Sequence, residues 1–405
     1  MNTEKELTNE FHGRADRIDG SPISFDDVVG RAGAIRRRRR ITTGVAALAA
    51  AAVIVPTAMF GGGLFDNDAA PDPAKPNTQQ VHDAVLDPSL PEGDPPRLAY
   101  VDGPTLVQPD GTTVDLGKSY GAPRKAGDEH LGASGFEGGE PSIDVLDQQW
   151  NVIDSVPMMN GPVSSADGSV AAWVALDGTV VTRSGGRSLE LGKVDGDYVT
   201  PVAVLGHDSC TEADGGCRVF VTVQNGSPVS VDSHGIVDVV PGHFTNVAAV
   251  SADNLIAGVV TPISAAPTDP VCSAVYDEQA MRQLFKTCDL AFGYSAGFSP
   301  DNSLLAGYHS DTDGAGPRSM TIVDARTGEK ALGIDLDRAI GKNTSIVGAD
   351  WEDDDHLLVR TMGPAANAPG AYNLYRVGLD GTVERLLERD YDNGTMTQPW
   401  LMMQP

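Results

Sequence analysis

The sequence predicts an all-β fold: a β-propeller ectodomain, seven-bladed by count and six-bladed if one weak unit is an insertion, placed after one N-terminal transmembrane helix. Three observations predict it. Twenty uncharged residues, Ile41 to Phe60, directly follow the five arginines Arg36, Arg37, Arg38, Arg39 and Arg40. The rest of the chain consists of short Val/Leu/Ala/Thr runs broken by Gly, Asp and Asn, with no long helical periodicity, and the whole chain carries Gly 46 and Pro 27. A weak repeat of Ser-x-Asp turns recurs at roughly 40–52 residues, the size of a four-stranded blade.

The N-terminal segment, residues 1–40, reads as a cytoplasmic basic helical segment. It carries nine Lys/Arg against seven Asp/Glu. Leu7, Phe11, Ala15 and Ile18 recur at helical spacing, and Asp19 to Pro22 then breaks the pattern. Ser24 followed by Asp27 resembles a capping box, and Phe25, Val28, Val29, Ala32 and Ile35 line a second short helix. Two such helices bury little core alone. Residues 1–35 therefore either dock a cytoplasmic partner or only set topology.

Residues 41–60 are long enough to cross the hydrocarbon core as a helix. The arginine run lies on their N-terminal side, and Gly61 to Gly63, Asp66 and Asp68 lie on the other. Positive charge stays inside, so the N-terminus is expected in the cytoplasm and the C-terminal region outside the cell membrane. A cleaved signal peptide is the rival reading. It would need a 40-residue leading region, and no clear small-residue cleavage site follows. No Cys follows the apolar run, which excludes a lipoprotein anchor.

Residues 61–96 are rich in Pro, Asp and Ala without periodicity and are expected to form a spacer, with the propeller over 97–405. Residues 66–405 hold 20 bases and 49 acids. Such an acidic surface repels nucleic acid and anionic lipid headgroups, so no nucleic-acid partner is expected. Cys210, Cys217, Cys272 and Cys288 all lie in this region, where an even count favours disulfides. Three pairings are possible; Cys210–Cys217 and Cys272–Cys288 are favoured because each closes a short loop. Zinc is disfavoured, since the spacings are not C-x-x-C and no His pair stands nearby.

The repeat is carried by Ser165-Ala166-Asp167-Gly168-Ser169, Ser251-Ala252-Asp253-Asn254-Leu255 and Ser299-Pro300-Asp301-Asn302-Ser303, each followed by a short apolar strand. Further turns are expected at Gly127-Asp128, His207-Asp208 and Trp351 to Asp355. One blade reads strand by strand as Ile346–Trp351, His356–Met362, Ala371–Val377 and Thr382–Leu387, with an Asp380-Gly381 hairpin before the last. Asp110-Gly111 and Asp177-Gly178 repeat that hairpin signal. Near the start, Leu98–Val101, Thr105–Gln108 and Thr112–Leu116 make three strands. The apolar Trp400 to Met403 is expected to supply the fourth and close the ring.

Gly297-Phe298-Ser299-Pro300-Asp301-Asn302-Ser303-Leu304-Leu305-Ala306, followed by Val323-Asp324-Ala325-Arg326-Thr327-Gly328, resembles the blade signature of WD40-like and TolB-like propellers. The whole layout is similar to membrane-anchored members of that group in actinobacteria, whose ectodomains begin much like Gly93 to Val101. The resemblance implies fold and topology and brings no activity with it. Asn302 stands where such a turn often has Gly, and blade ends lack a regular Trp-Asp.

No motif assigns chemistry. Gly293-Tyr294-Ser295-Ala296-Gly297 matches a nucleophile elbow, but Pro300 opposes the helix that motif requires. Asp311-Thr312-Asp313-Gly314 begins like a calcium loop without the later acidic ligands. The run Glu352 to Asp355 is expected to be an exposed turn, not a metal site. No catalytic residue, metal or cofactor is expected. The leading expectation is a non-enzymatic binding or scaffolding module of the cell envelope with a protein or glycan ligand. The alternatives are a transmembrane regulator, anti-sigma-like, acting through residues 1–35, and a propeller hydrolase or lactonase.

Overall fold

The computed structural model describes residues 81–405 except 122, 136–139, 207–209, 212–215, 236, 262–269, 293–296, 310–315, 337–343, 364–370, 391–400 and 403–405. The cytoplasmic segment, the arginine run and the membrane span expected over 1–60 lie outside the described residues, as does most of Gly293–Gly297 and all of Asp311–Gly314.

The described chain is all strand. After β1 (His82–Leu86), blade one takes β2 (Tyr100–Asp102), β3 (Thr105–Val107) and β4 (Thr113–Asp115). Blade two is β5 (Arg124–Ala126), β6 (Glu129–Ser134), β7 (Ser142–Leu146) and β8 (Val152–Pro157). Blade three is β9 (Asn160–Ser164), β10 (Ala171–Val174), β11 (Thr179–Ser184) and β12 (Arg187–Lys193). Blade four is β13 (Val199–Leu205), β14 (Arg218–Val223), β15 (Val229–Asp232) and β16 (Val237–Val239). Blade five is β17 (Asn246–Val250), β18 (Leu255–Val259), β19 (Ser273–Asp277) and β20 (Arg282–Thr287). Blade six is β21 (Leu290–Ala291), β22 (Leu304–His309), β23 (Ser319–Asp324) and β24 (Lys330–Leu336). Blade seven is β25 (Ser345–Trp351), β26 (His356–Gly363), β27 (Ala371–Gly378) and β28 (Val383–Asp390).

Seven sheets result, and in each the strands of the blade itself form an antiparallel meander in chain order. The expected closure is present: β29 (Leu401–Met402) joins blade one beside β2, with Tyr100 opposite Met402 and Val101 opposite Leu401. The core is divided the same way, into seven apolar clusters, one at each blade-to-blade interface. Val101, Leu106 and Leu146 join blades one and two. Tyr100, Leu358 and Leu374 join blades seven and one, so the interface across the closure is packed like the others. Burial follows position in the blade. The third strand of blade seven, β27, is buried at all 8 residues, whereas the outer strand of blade two, β8, is mostly exposed.

The Ser-x-Asp turns are the joints of this ring. Those at 165–169, 251–255 and 299–303 each connect the first and second strands of a blade. The Ser165, Ser251 and Ser299 side chains are buried, and each Oγ accepts an N–H at the start of the next strand or one residue before it: Val170 (3.1 Å), Leu255 (3.0 Å) and Leu304 (3.0 Å). The turn residue before that strand is left-handed in two of them as Asn, with φ 61° at Asn254 and 62° at Asn302. Asn tolerates this conformation, so the departure from Gly changes nothing structurally.

The spacer expected over 61–96 differs in its described part. β1 adds to the outer edge of blade six as a fifth strand, parallel to β24, with Ala84 and Leu86 buried. The chain then crosses blade seven, where Gly93 N donates to Arg385 O (2.7 Å) and Arg385 Nε donates to Leu90 O (2.7 Å). Pro and Asp suppress a strand signal here, and the pairing partner lies far along the chain.

Candidate functional site

The first strands of the blades face a central funnel. It has a cavity volume of about 1180 Å³ and opens on the side that carries the turns between first and second strands. Its wall is shaped by bulges. The pairing of first and second strands slips by one residue between Pro201 and Ala203, between Val247 and Ala249, and between Ile346 and Gly348. The extra residues, Val202, Ala248 and Val347, all line the funnel. A bulge of this kind re-aims side chains and is common next to working sites.

Three charged side chains meet in the wall. Arg124 stands at the start of β5, Asp350 near the end of β25, and Arg360 on β26. Arg360 belongs to a second strand and reaches the funnel over Gly348, its pairing partner on the first. A Cβ on Gly348 would stand 2.4 Å from Arg360 Nη2. Arg360 Nη2 lies 3.5 Å from Asp350 Oδ2, with both side chains nearly enclosed. Arg124 is half-buried overall, but its Nη1 is sealed from solvent and meets no hydrogen-bond partner among the described residues. Burial pulls the Arg124 pKa down, and the charge of Asp350 opposes that shift. Tyr308 lies within reach of the Arg360 and Asp350 charges. Burial, partly offset by Arg360, pushes its phenol up to about 12, so it stays protonated and able to donate. Ser164 also lines the funnel, with its Oγ buried and unpartnered among the described residues.

The mouth is more conventional. Arg218 is held by both oxygens of Glu278, and its guanidinium lies 4.7 Å from the Phe220 ring centre. Asp167 is held in its turn by Ser165 Oγ (2.7 Å) and Ser169 N (3.0 Å). Trp351 closes the wall beside Asp350, its Nε1 donating to Gly297 O (3.2 Å).

The cysteines pair as favoured, Cys210 with Cys217 and Cys272 with Cys288. The first disulfide staples the connection between β13 and β14, and Cys217 lines the funnel. The second ties the entry of β19 to the exit of β20.

One expectation about the acidic run is corrected. Glu352 is not exposed: its side chain is fully buried and paired with Arg376, while Asp353 on the same turn remains partly exposed. Among the described residues no group of His, Cys, Asp and Glu is arranged to hold a metal ion. Sequence reasoning did not single out Arg124, Asp350 or Arg360. The available signal was an arginine within the apolar run His356-Leu357-Leu358-Val359-Arg360, two strand positions from a glycine-bearing first strand.

No family model matches the chain, and no curated protein matches it. Among solved structures it is similar to the β-propeller domain of Cps50 (Swd1) from Myceliophteria thermophila, at 9% identity and TM-score 0.44 over 68% of this chain and 87% of that one. It is also similar to TolB from Acinetobacter baumannii, at 19% identity and TM-score 0.38 over 62% and 69%. A chain of a mitotic checkpoint complex is similar at 12% identity and TM-score 0.44 over 75% and 96%. The assignment as a seven-bladed β-propeller rests on this chain's own strand order, its closure by β29 and its seven interface cores.

Proposed function

We propose that this chain is a single-pass membrane protein that holds a non-enzymatic binding propeller outside the cell membrane, with a protein or glycan of the envelope as its ligand and the funnel as the ligand site. The observation that carries the reading is the funnel itself. It is a cavity of about 1180 Å³ walled by first strands and turns from six blades, and such loops vary freely on a rigid ring. The charged groups in its wall include Arg124, Arg218, Arg360, Asp167, Asp232 and Asp350, a set suited to recognition of a polar ligand. The external location is supported by two disulfides, which persist in oxidising compartments, and by the arginine run before residues 41–60.

The test narrows the mouth without touching the core. Ala166 and Ala252 are exposed and border the funnel, so Ala166→Trp with Ala252→Trp obstructs entry while the blades stay packed. The full chain, immobilised in detergent, is challenged with solubilised envelope material. The reading predicts that wild type retains a defined component and the double variant does not. Equal retention by both would remove the funnel as the ligand site.

A further inference from the structure

We propose that β1 and the segment behind it, residues 87–97, form a load-bearing clamp. Pull arriving along the N-terminal part of the chain is taken up by blades six and seven and kept off blade one, where the ring is closed. This rests on the reading of residues 41–60 as a membrane anchor, since an anchored chain is pulled from that end when its funnel grips a ligand fixed in the envelope.

Blade one is the vulnerable seam. The chain enters the ring there, at β2, and the last strand closes the ring on the same β2. β2 meets β29 over two residue pairs and β3 over three, whereas β26 and β27 of blade seven meet over eight. Each ladder bond contributes only about 1 kcal/mol net. A chain that ran straight from its anchor into β2 would deliver every pull to these short ladders at the point of closure.

The clamp lies between anchor and seam. β1 pairs with β24 over five residues, buries Ala84 and Leu86 in the apolar cluster shared by blades six and seven, and adds the ion pair of Asp83 with Lys330 (2.7 Å). Residues 87–97 are then tied to blade seven at several points: Arg385 Nε donates to Leu90 O, Gly93 N to Arg385 O, Arg376 Nη2 to Pro95 O and Arg97 N to Glu352 Oε1. The direction of β1 matters. Strands alternate within a blade, so turns between third and fourth strands share the side of the funnel mouth. β24 starts from such a turn, and β1 runs parallel to it, so His82 begins on that side. A Cβ at Gly381, in the equivalent turn of blade seven, would stand 3.2 Å from His82 Cβ. Pull on His82 toward the mouth side therefore runs along β1 and loads its five pairs together in shear, which resists more than peeling the strand off pair by pair.

The full chain in detergent carries azide-bearing residues at Val81, which is 50% exposed, and at Asp289, on the exposed connection between blades five and six, and is stretched between them in an optical trap. Wild type is expected to lose its ring only when the clamp yields, in one event. Ala84→Asp with Leu86→Asp places two carboxylates where β1 is buried, releases the strand, and is expected to open the ring at lower force. Should that variant fail to fold, the opposite change decides. A Cβ on Gly93 stands 3.4 Å from Glu384 Cβ, close to disulfide spacing, so oxidised Gly93→Cys with Glu384→Cys locks the clamp and is expected to open at higher force than wild type. Moving one handle from Val81 to Val239, which is 68% exposed on β16, takes the clamp out of the load path. There wild type and both variants are expected to open at the same force. An equal loss in both directions would make β1 a general part of ring stability and overturn the clamp. So would release of residues 82–97, roughly 55 Å of chain at ~3.4 Å per residue, in a separate event before the ring opens. The anchor reading is tested separately, by whether the chain stays with membranes through a carbonate wash; its failure would remove the source of the pull without changing the measured forces.

Discussion

Arg376 and Glu352 form a two-pronged ion pair inside blade seven, with Nε 2.5 Å from Oε2 and Nη2 2.9 Å from Oε1. Their side chains are 5% and 0% exposed. The pair is the centre of a knot: Glu352 Oε1 also accepts Arg97 N (2.6 Å), and Arg376 also donates to Glu384 (2.8 Å) and to Pro95 O (3.0 Å). Hydrogen bonding to Glu352 raises the Arg376 pKa, so the guanidinium is charged at every working pH. The knot fastens the segment that follows β1 to three parts of the last blade, beside the closure.

Breaking one half of this pair strands the other. Glu352→Ala is expected to cost about 3–5 kcal/mol, because it leaves a buried, uncompensated guanidinium. The double change Glu352→Leu with Arg376→Met is expected to cost less than the single one. Urea denaturation of the three proteins checks the order; a single variant as stable as wild type would show that the knot carries little.

The acid limb of stability has a definite sign. The hydrogen bond from Ser299 Oγ holds the Asp301 carboxyl below its ordinary value of 3.8. For Asp144, burial alone would raise the pKa, but hydrogen bonds from Lys118, Ser155 and Tyr120 outweigh it and the net shift is downward. A carboxyl with a depressed folded pKa stabilises the fold fully above its unfolded value and loses that contribution as pH falls through the folded value. Melting temperature is therefore expected to hold steady above about pH 4 and to fall below it. Asp144→Asn is expected to lower the unfolding free energy at neutral pH by about 2 kcal/mol and to flatten the acid limb.

Reduction acts unequally on the two staples. Cys272 and Cys288 stand 16 residues apart and Cys210 and Cys217 stand 7 apart. Chain-entropy estimates give about 3 kcal/mol for the longer loop and roughly 2 kcal/mol for the shorter. Pairwise Ser variants, melted with and without reductant, are expected to show that order, and the variant lacking both pairs is expected to ignore the reductant.

The fold was largely legible because its signals are local. Ser299, Asp301 and Asn302 make their turn with one another and with the next strand, so the pattern survives in the sequence at each blade. The β26, β27 and β28 boundaries fall within a few residues of expectation because apolar runs meet Asp-Gly or acidic turns there. What was not legible depends on distant partners. His82–Leu86 becomes a strand only because β24 is there to pair with it, and Glu352 is buried only because Arg376 and Arg97 reach it. The wall of the funnel was hidden for the same reason. Arg124 and Arg360 come from blades two and seven, and nothing in their own neighbourhoods announces that a ring brings them to one cavity.

Closure by the last strand has a mechanical consequence. Deleting residues 400–405 removes the partner of Tyr100 and Val101 and leaves a free inner edge on β2. The truncated protein is expected to lose at least about 2 kcal/mol of stability. Limited proteolysis is expected to cut first within blade one. An unchanged melting curve would mean that the ring does not depend on β29.

The central claim is that this propeller works through its funnel. It is tested most directly in living cells by a photo-crosslinking residue at Ala252, at the funnel mouth, and, as a control, at Val239 on the outer strand of blade four, which is 68% exposed. The account predicts a discrete adduct from Ala252 and none from Val239. An adduct from Val239 alone would place the working surface on the outer edge of the ring and contradict it.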